Sequence, residues 1–154
     1  MSTVAVGSPA PDFTLPTDQG EVSLAALKGK PVVVYFYPKD DTPGCTREAI
    51  GFSCLADEFE KAGATVIGIS PDTAEKHGKF RAKHKLTVAL ASDPEHKVAE
   101  NYGAWGEKSL YGKKYFGIVR STFLVAPDGT IARAWPKVSV EGHAEEVLAA
   151  VRAL

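Results

Sequence analysis

The strongest constraint on the fold of this chain is a pair of short apolar runs that enclose a segment of helical periodicity. The runs PVVVYFY (31–37) and ATVIGIS (64–70) are rich in β-branched or aromatic residues, which is typical of strands covered on both faces of a sheet. Within residues 43–62, apolar side chains recur at helical spacing, namely Ala49, Phe52, Leu55, Ala56 and Phe59. A strand, a helix and a strand in this order predict a right-handed crossover between parallel strands.

The remaining patterns extend this unit to a mixed sheet. Further helices are predicted over residues 73–85, over residues 94–103 with a cap at Ser92 or Asp93, and over residues 140–154. The segment STFLVAPDGTIARAW (121–135) has two apolar stretches around a Pro-Asp-Gly turn, which predicts a hairpin. We therefore expect an α/β fold with a central mixed β-sheet and helices on both faces.

The length and net charge of the chain limit the kinds of function that we expect. The chain has 154 residues, so residues 1–154 are most simply one domain that buries a core without disulfides or metals. Its net charge of −1 gives no reason to expect nucleic acid or a membrane surface as a partner. No apolar run approaches the roughly 20 residues of a spanning helix, and the N-terminus lacks the pattern of a secretory signal. We expect a cytoplasmic protein.

Cys45 lies just past the carboxyl end of the first predicted strand, where open α/β sheets bind ligands. Thr42 is the predicted N-cap of the next helix, which makes Cys45 its third residue, after Pro43. That position usually carries an acidic side chain facing the free amides and the positive end of the dipole. A thiol there is favoured as the thiolate, the nucleophilic form. Because Cys45 and Phe52 share a helix face, we expect the sulfur to point inward and to need a nearby cation.

Cys54 has a different setting from Cys45. It lies nine residues later, about 180° around the helix and about 13.5 Å along it, on the exposed side. A disulfide needs Cα atoms about 4.4–6.8 Å apart, so the two cysteines cannot bond while the helix is intact. Either the start of the helix unwinds, or Cys54 is a bystander.

His77 and His84 are seven residues apart and could share a helix face. No third ligand accompanies them, so we interpret both as surface residues and expect no metal site.

The segment PKDDTPGC resembles the signature of the peroxiredoxins: a proline, three residues, a threonine, two residues and a cysteine. These positions are Pro38, Thr42 and Cys45. The chain is most similar to the peroxiredoxin Q, or bacterioferritin-comigratory protein, subfamily, and the resemblance covers nearly its whole length. Further matching segments are VGSPAPDFTLPTDQGEVSLAALKGKPVVVYFYP, AGATVIGISPD and KYFGIVRSTFLVAPDG. The last contains Arg120, which matches the family's active-site arginine.

This resemblance implies a thioredoxin-like fold and the reduction of hydrogen peroxide and organic hydroperoxides, without a metal, flavin or haem. Cys45 would attack the peroxide and become a sulfenic acid. Arg120 would stabilise the thiolate and hold the peroxide oxygens. Thr42 would orient sulfur and substrate, and Pro38 would close the pocket against water. The subfamily also implies a monomer that is recycled by thioredoxin or a similar thiol.

The resolving cysteine departs from the subfamily pattern. Many members carry it five residues after the peroxidatic cysteine, where this chain has Ile50. Others carry it in the next helix, which here reads AEKHGKFRAKHK and contains no cysteine. Cys54 is the remaining candidate. A Cys45–Cys54 disulfide and a cycle with one cysteine both stay open.

Two other functions use related chemistry. A thioredoxin-like disulfide oxidoreductase needs two sulfurs within one turn, as in C-x-x-C, and neither cysteine has such a partner. A redox-sensing interaction protein could use the same thiolate at Cys45. It would differ from an enzyme in turnover, since an enzyme consumes many equivalents of peroxide when a thiol reductant is supplied.

Overall fold

A computed structural model describes residues 4–154 of the chain. The strands are β1 (Thr14–Thr17), β2 (Gly20–Ser23), β3 (Val32–Phe36), β4 (Thr65–Ser70), β5 (Ala89–Ser92), β6 (Trp105–Leu110), β7 (Lys113–Ile118), β8 (Ser121–Val125) and β9 (Ile131–Trp135). The α-helices are α1 (Pro43–Cys54), α2 (Ala56–Lys61), α3 (Ala74–His84), α4 (Lys97–Tyr102) and α5 (His143–Arg152). Within residues 4–154, no helix is both long enough and apolar enough to cross a membrane.

The main sheet has seven strands in the order β2-β1-β5-β4-β3-β8-β9. β4 pairs in parallel with β3 and with β5, as the crossover pattern predicts. The other neighbours are antiparallel, including the predicted hairpin of β8 and β9. β6 and β7 form a separate two-stranded sheet. The expected mixed sheet is confirmed.

Helices cover both faces of this sheet. On one face, Val33 and Tyr35 of β3 pack in a cluster with Phe52 of α1 and with residues of α2, α3 and α5. On the other face, Val34 belongs to a cluster with Tyr102 of α4. Neighbouring residues of a strand point to opposite faces, and every residue of β3 is buried. This double burial explains why the β3 sequence is continuously apolar.

Two helix predictions need correction. The segment 43–62 is divided at Leu55, whose φ of −100° and ψ of 10° interrupt the helix. Asp57 and Glu58 then lie in the first turn of α2, where negative charge favours a new helix start. The helix predicted over residues 94–103 begins only at Lys97. Its N-cap residue is His96 rather than Ser92 or Asp93, although the Asp93 carboxylate accepts a hydrogen bond from the amide of Ala99 in the first turn.

The sheet topology explains where the cysteine and the arginine meet. The loop 37–42 leads from the end of β3 to the start of α1. β8 runs antiparallel to β3, with Ser121 opposite Phe36. Arg120, immediately before β8, therefore lies beside the carboxyl end of β3, where the loop leads into α1.

Candidate active site

Cys45 is the third residue of α1, and only 1% of its surface is exposed. The prediction that the sulfur points inward is therefore confirmed. It packs in the same cluster as Ala49 and Phe52, on the face of α1 that meets the sheet. The start of the helix faces the Cys45 sulfur with the positive end of its dipole.

Arg120 places a cation beside the buried sulfur. Its Nη2 donates a hydrogen bond of 3.2 Å to Cys45 Sγ. The two residues are 75 positions apart in the chain, and only the antiparallel placement of β8 beside β3 brings them together. A Cβ atom at Gly44 would lie 3.2 Å from Nη2, so the absence of a side chain there leaves room for the guanidinium.

Glu48 is a site residue that the sequence interpretation missed. Its Oε1 accepts a 2.6 Å hydrogen bond from Arg120 Nη1, while its buried Oε2 has no hydrogen-bond partner. Burial outweighs the attraction of Arg120 and raises the pKa of Glu48 to about 7. Its position three residues after Cys45 was the available signal, because such residues are neighbours on a helix surface.

Thr42 occupies the N-cap position of α1 with φ of −92° and ψ of 155°, but its side chain makes no capping hydrogen bond. Its hydroxyl donates instead to the carbonyl of Lys39, at 2.8 Å. The prediction is right for the backbone position and wrong for the capping bond. Because the hydroxyl proton is committed to Lys39, the oxygen keeps lone pairs free to accept a hydrogen bond.

The other two candidate residues, Pro38 and Cys54, lie before the start of α1 and at its end. Pro38 is half-buried in the loop 37–42. Cys54 is the last residue of α1 and is exposed, as predicted. Since both cysteines lie on one continuous helix, about 13.5 Å separates them along its axis. They are not within bonding distance while α1 is intact.

His77 belongs to a buried network under the loop 37–42. It is fully buried, and its Nδ1 lies 2.6 Å from Asp40 Oδ2. Asp40 Oδ1 also accepts a 2.6 Å hydrogen bond from Tyr37. The interpretation of His77 as a surface residue is therefore wrong, because this face of α3 packs against the sheet. Among residues 4–154, no group of three or more His, Cys, Asp or Glu side chains is placed to hold a metal ion.

Comparison with known proteins points to one family. The sequence profile of the AhpC/TSA family matches residues 6–134. The chain is 52% identical over 147 residues to a putative peroxiredoxin Bcp of Coxiella burnetii, covering 95% of this chain and 97% of that relative. It is 49% identical over 147 residues to peroxiredoxin Bcp of Bacillus subtilis, covering 95% and 94%.

The fold is similar to a solved structure of the bacterioferritin comigratory protein of Xanthomonas campestris, with a TM-score of 0.89 and 42% identity over 99% of this chain and 98% of that chain. That structure was described in connection with the alkyl peroxide reduction activity of the Xanthomonas protein. The expected resemblance and the expected thioredoxin-like fold are both confirmed.

Proposed function

The chain belongs to the AhpC/TSA family and is a peroxiredoxin, a thiol peroxidase, and from this premise we propose that Cys45 is its peroxidatic cysteine. The hydrogen bond of 3.2 Å from Arg120 to the buried sulfur carries this proposal. A buried thiolate needs a compensating cation, and Arg120 is placed to provide it. The sensor alternative is not favoured, because the relatives are named as peroxiredoxins.

The reaction begins with attack of the Cys45 thiolate on the terminal oxygen of the hydroperoxide. A bond forms between sulfur and oxygen while the bond between the two peroxide oxygens breaks. The leaving oxygen takes up a proton and departs as water or an alcohol, and the cysteine becomes a sulfenic acid. Cys45 is thereby oxidised and the peroxide is reduced.

Arg120 and Glu48 act as a pair in this step. Glu48 holds Nη1 at 2.6 Å, which fixes the plane of the guanidinium. Nη2 bonds to the sulfur, and the remaining N–H groups of the planar fork are available for the peroxide oxygens. Charge that develops on these oxygens during the reaction is stabilised by groups already in place.

Thr42 and the first turn of α1 complete the pocket. The oxygen of Thr42 is free to accept the proton of the hydroperoxide in a hydrogen bond, which orients the substrate for attack. The first amides of a helix have no intrahelical acceptors, and the Thr42 side chain does not bond to them. These amides are available to the developing negative charge, while Pro38 restricts the entry of water.

Recycling uses a thiol reductant, for which we propose thioredoxin. Cys54 then acts as the resolving cysteine after the first turns of α1 unwind, and attacks the sulfenic acid to form a disulfide with release of water. The exposure of Cys54 supports this role. We further propose that residues 1–154 act as one cytoplasmic, monomeric domain on both hydrogen peroxide and alkyl hydroperoxides, the latter by analogy with the Xanthomonas relative.

The assignment of Cys45 is tested by Cys45→Ser, with Cys54→Ser as the matched control. We expect Cys45→Ser to lose peroxide consumption in the presence of a thiol reductant, because a serine hydroxyl is not ionised near neutral pH. Cys54→Ser should still consume the first equivalent of peroxide. Substantial turnover by a folded Cys45→Ser variant would refute the assignment.

A further inference from the structure

The loop 37–42, which carries Pro38 and Thr42, is attached to α3 rather than stabilised by the helix that follows it. The side-chain cap that usually joins such a loop to the next helix is missing, since the Thr42 hydroxyl bonds to Lys39 within the loop. The centre of the loop is instead fixed at Asp40, whose side chain is only 5% exposed. Asp40 is therefore a buried restraint on the conformation of the pocket.

Asp40 is held through both its backbone and its side chain. Its amide donates a 2.7 Å hydrogen bond to Asp72 Oδ2, at the entrance to α3. Its two carboxylate oxygens bond separately to Tyr37 and His77, each at 2.6 Å. Burial, followed by the influence of Tyr35 and Asp40, raises the pKa of Tyr37 well above its ordinary value. Tyr37 therefore stays neutral and donates its proton.

His77 has a hydrogen-bond partner at each ring nitrogen. Nδ1 faces the carboxylate of Asp40 at 2.6 Å, and Nε2 faces the carbonyl oxygen of Ala91 in β5 at 3.0 Å. A carbonyl oxygen can only accept, and a carboxylate that already accepts from Tyr37 is best matched by a second donor. The ring thus joins the buried carboxylate of Asp40 to β5, and it connects the loop to the sheet.

The neighbouring aspartate gives a natural contrast. Asp41 pairs with Lys83 and His84 at 2.7 and 2.8 Å, but its side chain is 43% exposed. Exposed ion pairs contribute little, whereas removing one partner of a buried pair is strongly unfavourable. α3 thus presents two histidines to the same loop, and the buried one is the stronger restraint.

We propose that His77 is a positioning residue for peroxide reduction, which acts through Asp40 on the loop that carries Thr42. His77 does not touch the substrate. It holds the loop, and with it Thr42 and Pro38, in the arrangement that orients the peroxide. Displacement of orienting groups by about 1 Å can cost on the order of 100-fold in rate, so loss of this anchor should affect a step that needs orientation.

The experiment compares two rates of Cys45 in His77→Leu and in the matched control His84→Leu. The first is oxidation by hydrogen peroxide, which requires an oriented substrate. The second is alkylation by iodoacetamide, which reports the reactivity of the thiolate without the peroxide pocket. We expect His77→Leu to slow oxidation on the order of tenfold with little change in alkylation. His84→Leu should change neither rate by more than about twofold.

A conservative pair covers the case in which His77→Leu does not fold. The amide of His77→Asn can reach Asp40 in place of Nδ1, whereas that of His77→Gln reaches towards Ala91 in place of Nε2. We expect His77→Asn to react faster with peroxide than His77→Gln. Equal or reversed rates in this pair, or equal loss of both reactions in His77→Leu, would overturn the proposal.

The inference rests on Cys45 as the nucleophile, and the two can fail separately. Turnover by Cys45→Ser would remove the premise. An inactive Cys45→Ser together with wild-type rates in His77→Leu would leave the premise intact and reject only the role of His77.

Discussion

Glu48 shows how a single buried residue contributes to the pH response of the molecule. Burial raises the pKa of its carboxyl from 4.5 to about 7 in spite of Arg120. The folded state therefore holds the proton more tightly than the unfolded state does. The stability that this group contributes is fully present below pH 4.5 and is lost as the pH rises through about 7.

Glu48→Gln should remove this dependence. A shift from 4.5 to about 7 corresponds to about 3 kcal/mol, so the Glu48 carboxyl by itself should lower the free energy of unfolding by up to about that much between about pH 5 and about pH 8. The glutamine variant should lose correspondingly less, because it has no proton to release. Chemical denaturation at both pH values measures the difference, with the exposed Glu145→Gln as control. Equal slopes in wild type and Glu48→Gln would contradict the prediction.

Substitutions of Thr42 can distinguish a role in peroxide reduction from a role as a helix cap. A side-chain cap contributes about 1 kcal/mol of stability, but Thr42 makes no such bond. We expect Thr42→Val to slow oxidation of Cys45 by peroxide on the order of 100-fold, while changing the free energy of unfolding by no more than about 1 kcal/mol for the lost Lys39 bond. Thr42→Ser keeps the hydroxyl and should stay close to wild type. Stopped-flow oxidation and denaturation measure the two effects, and unchanged oxidation in Thr42→Val would limit Thr42 to a structural role.

At the scale of elements, α1 combines features that favour unwinding at its start. It has no acidic residue in its first turn and no side-chain cap. Gly44 and Gly51 each weaken it by roughly 1 kcal/mol relative to alanine. Oxidation of Cys45 to a neutral sulfenic acid also removes the charge that paired with Arg120 and with the helix dipole. Because α1 ends at Cys54, unwinding the helix frees the segment between the two cysteines.

Intact mass after one equivalent of peroxide tests this unwinding. We expect wild type to lose two hydrogens, as an intramolecular Cys45–Cys54 disulfide requires, because eight intervening residues can bring the sulfurs together once extended. Cys54→Ser should instead gain one oxygen, and its thioredoxin-coupled turnover should fall. Full turnover by Cys54→Ser, with no disulfide in oxidised wild type, would favour a cycle with one cysteine.

The elements predicted correctly from the sequence are those whose burial matches their periodicity. β3 is buried along its whole length and reads as a continuous apolar run. β1 and β2 were missed, since they lie at the end of the sheet and their residues are mostly half-buried or exposed. β6 and β7 pair mainly with each other, and four of the six residues of β7 are exposed, so hydrophobic alternation is absent.

The parts of the candidate site that could be predicted from the sequence are those whose contacts are local along the chain. Cys45 could be proposed as the nucleophile from the helix start alone, whereas Arg120 was proposed only from the family resemblance, because its contact with Cys45 spans 75 positions. Glu48 lies on the same helix face but resembles an ordinary surface glutamate. The spacing of His77 and His84 identified one helix face, but only the packing of α3 against the sheet shows which histidine is buried.

At the scale of the whole molecule, the β6–β7 hairpin carries the exposed aromatic surface that bears on the proposal of a monomer. It follows α4 and leads into Arg120, and it exposes aromatic surface: Tyr111 is 97% exposed, Phe116 64% and Tyr115 44%. Together these described side chains present about two whole aromatic residues, or roughly 400 Å². A specific interface buries about 800 Å² per partner, so these aromatic side chains alone supply about half of that area.

Sedimentation equilibrium of the reduced protein at micromolar concentration should therefore give the mass of one chain. Lys114 pairs with Glu107 at 3.6 Å, but the neighbouring Lys113 is exposed. Two Lys113 side chains would repel each other if two hairpins met about a twofold axis, which further opposes self-association. Phe116→Ser should leave both the mass and the peroxide rate unchanged, because it removes exposed surface without touching the pocket. A concentration-dependent dimer that Phe116→Ser dissociates would show that the hairpin contributes to a larger interface and would reject the monomer.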